Sequence, residues 1–395
     1  MHKEKVLLVH NFYQIGGGEH TVYENEKRML CENGHAVVCY TRDNSELKSS
    51  VFKKLLLPFT TVFSPRTYFE VKRLIKTENI EIVHCHNTFP LISPAVYYAA
   101  LHCKVPVVQT VHNFRFLCPN GLFYRGGRIC EDCLKSGLLT AVEHGCYRNS
   151  RVQTAVVVMM LKVHRALGTY GKINYIFLTQ FNREKFRALP GFPEDRAFIK
   201  PNFEYVDLQP AEPEEIDHNK YVFVGRLDGY KGVAFLLEAW KRTGNKQLYI
   251  YGDGELAPAV KAAAKENPNI HYMGFQPVQK VWQELRTCEA MVLCSELYES
   301  FPMTIIESMA TGTPVLCADI GNHASIVKEN GCGLLYRNRD VADFLSAMKR
   351  LSADRENIRK KAIAVYNSCY TPKANYAQLK KIYEEVTKNR CGHNV

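Results

Sequence analysis

No apolar run in this chain is long enough to cross a bilayer as a helix, which takes about twenty residues. The longest candidate, Ala155–Leu161 (AVVVMML), is closed off by Arg151 and Lys162 and suits a buried helix. The opening MHKEKVLLVH passes straight into a strand and lacks a signal-peptide cleavage site, so a cytoplasmic protein is expected, with the inner face of the cell membrane as a second place of work. Lys and Arg are scattered rather than packed into an arm, and no nucleic-acid-binding signature accompanies them, which ranks nucleic acid last among partners. The fingerprint G-x-G-x-x-G fails at GGGEHT, because Thr21 stands where the last glycine belongs, and this argues against a dinucleotide oxidoreductase. There is no D-x-D carboxylate pair, so no catalytic Mg²⁺ or Mn²⁺ is expected. No side chain stands out as a covalent nucleophile beside a paired base.

What is present describes a folded two-domain protein. A chain of 395 residues exceeds one ordinary core, and 46% hydrophobic against 23% charged residues excludes disorder. The formal charge of +11 favours anionic partners, a phosphorylated small molecule first and an anionic membrane surface second. Fourteen cysteines without a secretion signal read mostly as reduced thiols in cores.

Strands and helices alternate along the chain, which predicts an α/β protein with parallel sheets. Strands are expected at Lys5–His10, His35–Tyr40, Glu81–His84 and Pro106–Thr110, with helices at Thr21–Asn33 and Pro65–Thr77. Ligands of open α/β sheets bind at the carboxyl ends of strands, so Gly16–Gly18, His86 and His112 are expected on one rim. His84 and His86 alternate in VHCHN and would face one side as a metal pair, but no third ligand lies nearby in sequence. Four cysteines then follow as Cys118, Cys130, Cys133 and Cys146. Their C-x-x-C core leaves three readings open: structural zinc, free thiols or a disulfide. A redox C-x-x-C is disfavoured, since no strand is expected directly before it. A proline-rich, acidic stretch around Pro210–Pro213 marks a boundary, giving domains over 1–205, with the cysteine-rich insertion at about 114–150, and over 206–371. A last amphipathic helix from Pro372, in 372–395, is expected to dock back on the first domain.

The second half carries the chemistry. Strand Lys220–Val224 runs into GRLDGYKG, where Arg226 and Lys231 offer a fork and a point charge suited to a diphosphate, next to Gly225. Strand Gln247–Tyr251 opens into GDGE with Gly252. The stretch Met291–Asp319 then reads as strand, loop, helix, strand, with Pro302 at the first helical position and the amides of Met303 and Thr304 free to meet an anion. Glu299 and Glu307, eight positions apart, are each able to accept two hydrogen bonds from a vicinal diol, one of a ribose and one of a second sugar.

With VGRLDGYKG, YGDGE, YESFPMTIIESMATGTPV and GCGLLY in hand, the chain resembles the retaining glycosyltransferases of family 4 (glycosyl transferases group 1), which share the two-Rossmann-domain GT-B fold. GGGE, VHCHN and VHN extend the resemblance into the first half. It implies two Rossmann-like domains with parallel sheets facing across a cleft, and work in bacterial surface-polysaccharide synthesis. It implies that Arg226 and Lys231 hold the diphosphate, Glu307 the ribose, and Glu299 with the backbone of Phe301–Met303 the transferred sugar. Gly17 would offer its amide to the diphosphate, His112 would touch the sugar at the reacting centre, and Glu19, His86 and Asn87 would line the acceptor side. Two positions depart from the family pattern: Pro302 stands for a common Gly and Ser325 for a usual Glu.

The reaction so implied moves a hexose, with retention, from a nucleoside-diphosphate sugar to a saccharide or lipid-linked acceptor. Arg226, Lys231 and the helix amides would stabilise the departing diphosphate without a metal cofactor. A sugar-nucleotide epimerase would need acid and base carboxylates at the ring and no acceptor. A non-catalytic nucleotide-sugar-binding protein would bind without product and without need of His112.

Overall fold

The computed structural model describes residues 3–14, 17–47 and 51–391, which divide into two compact units. Unit 1 comprises residues up to Phe123, Glu131–Asn202 and the chain from Asn375 onward; unit 2 comprises Tyr124–Cys130 and Phe203–Ala374.

Unit 1 is built on a six-stranded sheet of β1 (Lys5–Phe12), β2 (Ala36–Asp43), β3 (Ile82–Asn87), β4 (Val107–Val111), β7 (Asn174–Phe177) and β8 (Ala197–Ile199). The spatial order is β2-β1-β3-β4-β7-β8 and every pairing is parallel. The remaining pair, β5 (Tyr124–Arg125) and β6 (Arg128–Ile129), is an antiparallel hairpin that belongs to unit 2. Residues Val6–Val9 are fully buried, as a strand covered on both faces demands. The connecting helices are α1 (Gly18–Glu32), α2 (Val51–Val62), α3 (Pro65–Thr77), α4 (Ala95–His102), the short α5 (Asp132–Lys135) and α6 (Leu139–His144), α7 (Arg151–Ala166) and α8 (Gln180–Phe186). On α1 the buried stripe is Val22, Tyr23, Glu26, Met29 and Leu30, a helical spacing with one carboxylate inside it. Ser64, Ser150 and Thr179 cap α3, α7 and α8 with their hydroxyl oxygens, which is why those helices start where they do.

Unit 2 repeats the plan with β9 (Asp217–Val224), β10 (Gln247–Tyr251), β11 (Ile270–Gly274), β12 (Cys288–Leu293), β13 (Val315–Ala318) and β14 (Gly333–Tyr336), in the order β11-β10-β9-β12-β13-β14, again all parallel. Its helices are α9 (Val233–Trp240), α10 (Ala257–Glu266), α11 (Val278–Arg286), α12 (Met303–Ala310), α13 (Gly321–Asn330), α14 (Val341–Ala353) and α15 (Arg355–Val365). Leu236, Trp240, Leu248, Ile250, Val292, Leu316 and Phe344 are packed in its core, where each large side chain contributes roughly 1.5–3 kcal/mol. A last helix, α16 (Pro372–Cys391), lies mostly in unit 1, where Asn375 donates to the Pro201 carbonyl and Tyr383 is fully buried.

Both sheets are doubly wound, and each reverses direction at one point: between β1 and β3 in unit 1, and between β9 and β12 in unit 2. In open α/β sheets such a reversal is where ligands bind, at the carboxyl ends of the strands. The structure adds elements that hydrophobic period alone did not reveal, α2 among them, because Pro58 sits inside that helix. Pro302 precedes α12 as its N-cap, one position earlier than the sequence reading placed it, and β6 does run directly into Cys130. Among the described residues no helix is long and apolar enough to cross a membrane.

Candidate functional site

In unit 2 three loops knit together at the reversal point. The loop after β9 donates from Gly225 N to the Tyr251 carbonyl (3.0 Å) and from Leu227 N to the Asp253 carbonyl (2.9 Å), and Glu296 N donates to the Tyr230 carbonyl (2.8 Å). These approaches need glycine, most sharply at two positions. A Cβ on Gly232 (φ +73°) would lie 1.9 Å from the Cys294 carbonyl oxygen, and one on Gly252 (φ +135°) 1.9 Å from that of Gly225. The amides of Gly225 and Gly252 are themselves engaged within the sheet, Gly252 N with the Gly274 carbonyl, so these glycines serve the loops' close approach.

This packing carries Lys231 to Glu299: Nζ lies 2.5 Å from Oε1, and Ser295 Oγ donates to the same oxygen at 2.6 Å. Burial pushes the Glu299 carboxyl up, but Lys231, His323 and the two hydrogen bonds outweigh it and hold it below the usual carboxylate range. Arg226 is more than half exposed and pairs with Asp228 (2.7 Å), whose carboxylate also accepts from Tyr230 Oη (2.5 Å). Phe301 and Met303 are buried, and Thr304 is half-buried. Among the described residues no side chain caps α12; Ile305 N donates to the Pro302 carbonyl (3.2 Å), and the amides of Met303 and Thr304 remain to meet an anion. Glu307, one turn along, is buried, and burial followed by the nearby Glu204 carboxylate lifts it to about 8. Ser325 donates to the Gly321 carbonyl of its own helix (3.2 Å), and Asn322 ties that helix to the Ser300 carbonyl. The insertion's hairpin reaches the same loops: Tyr124 Oη donates to Glu296 (3.2 Å), and Arg339 binds both Glu296 and the Gly127 carbonyl.

In unit 1 the polar residues meet in a buried network. Glu26 Oε1 faces His84 Nδ1 at 2.9 Å and His86 Nε2 at 3.2 Å, while Oε2 accepts from Lys200 Nζ at 2.9 Å. His86 Nδ1 meets His112 Nε2 at 2.9 Å. Burial pushes the Glu26 carboxyl up, but Lys200, His84 and His86 hold it well below its ordinary value. Glu26 is thus a third group beside the histidine pair, and the ligating atoms of Glu26, His84 and His86 lie within 4.8 Å of one another. The Lys200 ammonium already supplies the balancing positive charge, so the cluster reads as a closed ion pair rather than a metal centre. The signal in the sequence was a Glu on the apolar stripe of α1, and its importance surfaces only once the strands are assembled.

His86 and His112 line a cavity with Asn87, Asn113 and Arg115. Asn87 is engaged in shaping the loop: it donates to the Asn11 carbonyl (2.8 Å) and accepts from Phe89 N (3.0 Å). Glu19 lies in the first turn of α1, with a buried Oε1 that has no hydrogen-bond partner among the described residues; burial, partly offset by Arg115, lifts its carboxyl to about 8. Gly17 is the N-cap of α1 and exposed, whereas Gly16 lies outside the described residues. In the insertion, the Cys118 thiol donates to Asn120 Oδ1 (3.0 Å). A hydrogen bond from Cys133 first, and then backbone amides at Phe123, Asn120 and Gly121, bring the Cys118 thiol down to about 6 against the effect of burial.

Two doubly wound parallel sheets, one with cations and an uncapped helix start at its reversal point, define a nucleotide-type α/β protein of two Rossmann-like units. Residues 207–367 match the family model described as glycosyl transferases group 1, and residues 15–153 match glycosyltransferase family 4. The chain belongs to these glycosyltransferases, and its fold is GT-B. It is 29% identical over 187 residues to a lipopolysaccharide 1,6-galactosyltransferase of Escherichia coli K12, covering 45% of this chain and about half (52%) of that relative's length. It is 23% identical to an Escherichia coli UDP-Gal:α-D-GlcNAc-diphosphoundecaprenol α-1,3-galactosyltransferase, covering 98% of this chain and 97% of the relative. Among solved structures, the sucrose-phosphate synthase of Thermosynechococcus elongatus superposes with a TM-score of 0.70 at 15% identity, over 98% of this chain and all of that one.

Proposed function

We propose that the protein transfers a hexose, with retention of configuration and without a catalytic metal, from a nucleoside-diphosphate sugar to a hydroxyl of a saccharide or lipid-linked acceptor in polysaccharide synthesis. The observation that carries this reading is the Lys231–Glu299 pair, held at the reversal point of unit 2 beside the uncapped start of α12. An incoming diphosphate takes Lys231 and draws in Arg226, and the carboxylate of Glu299, released, accepts from hydroxyls of the sugar. Glu307 accepts from the ribose diol. As the bond from the anomeric carbon to the phosphate oxygen stretches, negative charge grows on the diphosphate, where the cations and helix amides are already in place. The acceptor hydroxyl bonds to the anomeric carbon on the same face and gives its proton to the departing phosphate oxygen, so charge and atoms balance without a protein nucleophile. His112 orients the sugar hydroxyls.

The names of the relatives support this choice, since one of them acts on a lipid diphosphate with a UDP-sugar. The test is transfer from a panel of labelled nucleotide sugars in EDTA. Acceptor-dependent product supports the reading, and donor turnover that needs no acceptor would favour the epimerase.

We further propose that the protein works at an anionic membrane face from the cytoplasmic side. Helices α2 and α7 pack together and expose Leu55, Leu56, Phe59, Val152, Met159 and Val163, and neither helix has a carboxylate in its sequence, while α7 carries Arg151 and Lys162. Salt-sensitive sedimentation with anionic but not neutral vesicles is the expected result. Finally, we propose structural zinc in the cysteine-rich insertion, whose soft thiols suit that ion. One equivalent of zinc should survive gel filtration and be lost in Cys133→Ser.

A further inference from the structure

We infer that Glu26 is a positioning residue: acting through His86, it fixes the tautomer of His112, so that His112 presents a bare Nδ1 to a hydroxyl of the bound sugar. This rests on the proposed sugar transfer for its substrate, but the chain of hydrogen bonds stands on geometry alone.

A carboxylate only accepts, so the His86 nitrogen that faces Glu26 carries its hydrogen: Nε2–H points at Oε1 across 3.2 Å. A neutral imidazole has one hydrogen, so His86 Nδ1 is then bare, and it can only accept from His112 Nε2 at 2.9 Å. His112 in turn has used its hydrogen. Its Nδ1 has no hydrogen-bond partner among the described residues, and its ring lines the cavity formed with Asn87, Asn113 and Arg115. A sugar hydroxyl entering there meets an acceptor.

The charges around His86 are already balanced. Glu26 and Lys200 cancel within a cluster that is fully buried, and Asn375 Oδ1 accepts a further hydrogen of the Lys200 ammonium at 2.9 Å. The other rings packed on His86 are His84 at 4.8 Å, Tyr23 at 5.7 Å and His10 at 6.4 Å, none of which brings a negative charge. Tyr383 of α16 and Thr110 of β4 reach the network only through His84. An imidazolium added to this set would be an unpaired buried charge. Burial, with His86 and His10 adding to it, also holds the His112 ring well below the ordinary histidine value, in the neutral form.

Lys200 makes the arrangement testable. An ammonium only donates, so in Glu26→Gln the amide oxygen must turn to Lys200, and its NH₂ then faces His86 Nε2. That reverses the whole series and leaves a hydrogen on His112 Nδ1. In Glu26→Gln/Lys200→Met the amide is free to turn back. The experiment is long-range ¹H–¹⁵N correlation of the histidine rings in the full-length protein, with kcat measured beside it. Wild type should show His112 as the Nε2–H tautomer from pH 6 to pH 9. Glu26→Gln should show the Nδ1–H tautomer, with kcat down at least 10-fold and the donor KM little changed, and the double variant should recover the first tautomer and part of kcat. An Nδ1–H tautomer or an imidazolium in wild type at pH 7 overturns the inference without any variant. A reversed tautomer with unchanged kcat overturns its catalytic half. Absence of transfer from every donor, with the wild-type tautomer as expected, refutes the proposed reaction and leaves the hydrogen-bond chain intact.

Discussion

The two units handle buried charge in opposite ways. In unit 1, Glu26 of α1 is held at full burial by His84 and His86 of β3 and by Lys200, which directly follows β8. In unit 2, Lys231 and Glu299 meet at partial exposure on two loops, and Arg226 stands more than half in solvent beside Asp228. The first arrangement is closed, since any exchange of partners leaves a charge unpaired in a core. The second is open: an anion can take Lys231 from Glu299, and both then have new partners in the ligand. On the proposed reading, rigid preorganisation in unit 1 orients substrate and exchangeable pairs in unit 2 bind it.

The largest effect should come from breaking the closed set. Lys200→Met leaves Glu26 without its cation and should cost about 3–5 kcal/mol of stability, measured by urea unfolding. Breaking the open set should spare the fold and harm turnover: Arg226→Ala should lower kcat by about two to three powers of ten, by analogy with loss of one oxyanion donor, with the melting temperature nearly unchanged. Unaltered turnover in Arg226→Ala would remove the distinction drawn between the units.

A smaller effect concerns pH. In the empty protein Glu307 keeps its proton up to about pH 8, whereas a ribose diol that donates to it favours the carboxylate. Binding then releases a proton, so the affinity for UDP should rise with pH by up to about tenfold per unit and level off near pH 8. Phosphate titration is common to both proteins, so the difference between wild type and Glu307→Gln isolates this carboxyl. The sign for stability is opposite: because the folded pKa is raised, the unfolded chain loses its proton first, and the empty protein loses stability between the ordinary carboxylate range and pH 8. Smallest of all, Arg339→Ala severs an exposed pair with Glu296 and should cost roughly 0.2–1 kcal/mol.

Much of this was legible from residue order. The Val and Leu runs located the long strands, and the sequence GRLDGYKG followed by YESFPMTIIES announced the loops that meet in unit 2. What stayed hidden had a physical reason in each instance. Helix α2 was masked by Pro58, and the β5–β6 hairpin by strands of two residues each. The histidine pair looked short of a third partner, because Glu26 and Lys200 are brought to it from 60 and 114 residues away only by the winding of the sheet. That Gly225 and Gly252 use their amides within the sheet is visible only in the folded chain. Sequence pattern locates the ends of strands; which polar atoms remain free there is a property of the assembled loops.

The most direct test is the melting temperature of wild type and Lys231→Ala in millimolar nucleoside-diphosphate sugars. At a hundredfold excess over Kd a bound ligand contributes about 2.7 kcal/mol, enough to shift wild type by several degrees, and the account predicts such a shift with at least one sugar and its loss in Lys231→Ala. No shift with any nucleotide sugar, or an equal shift in the two proteins, would contradict it.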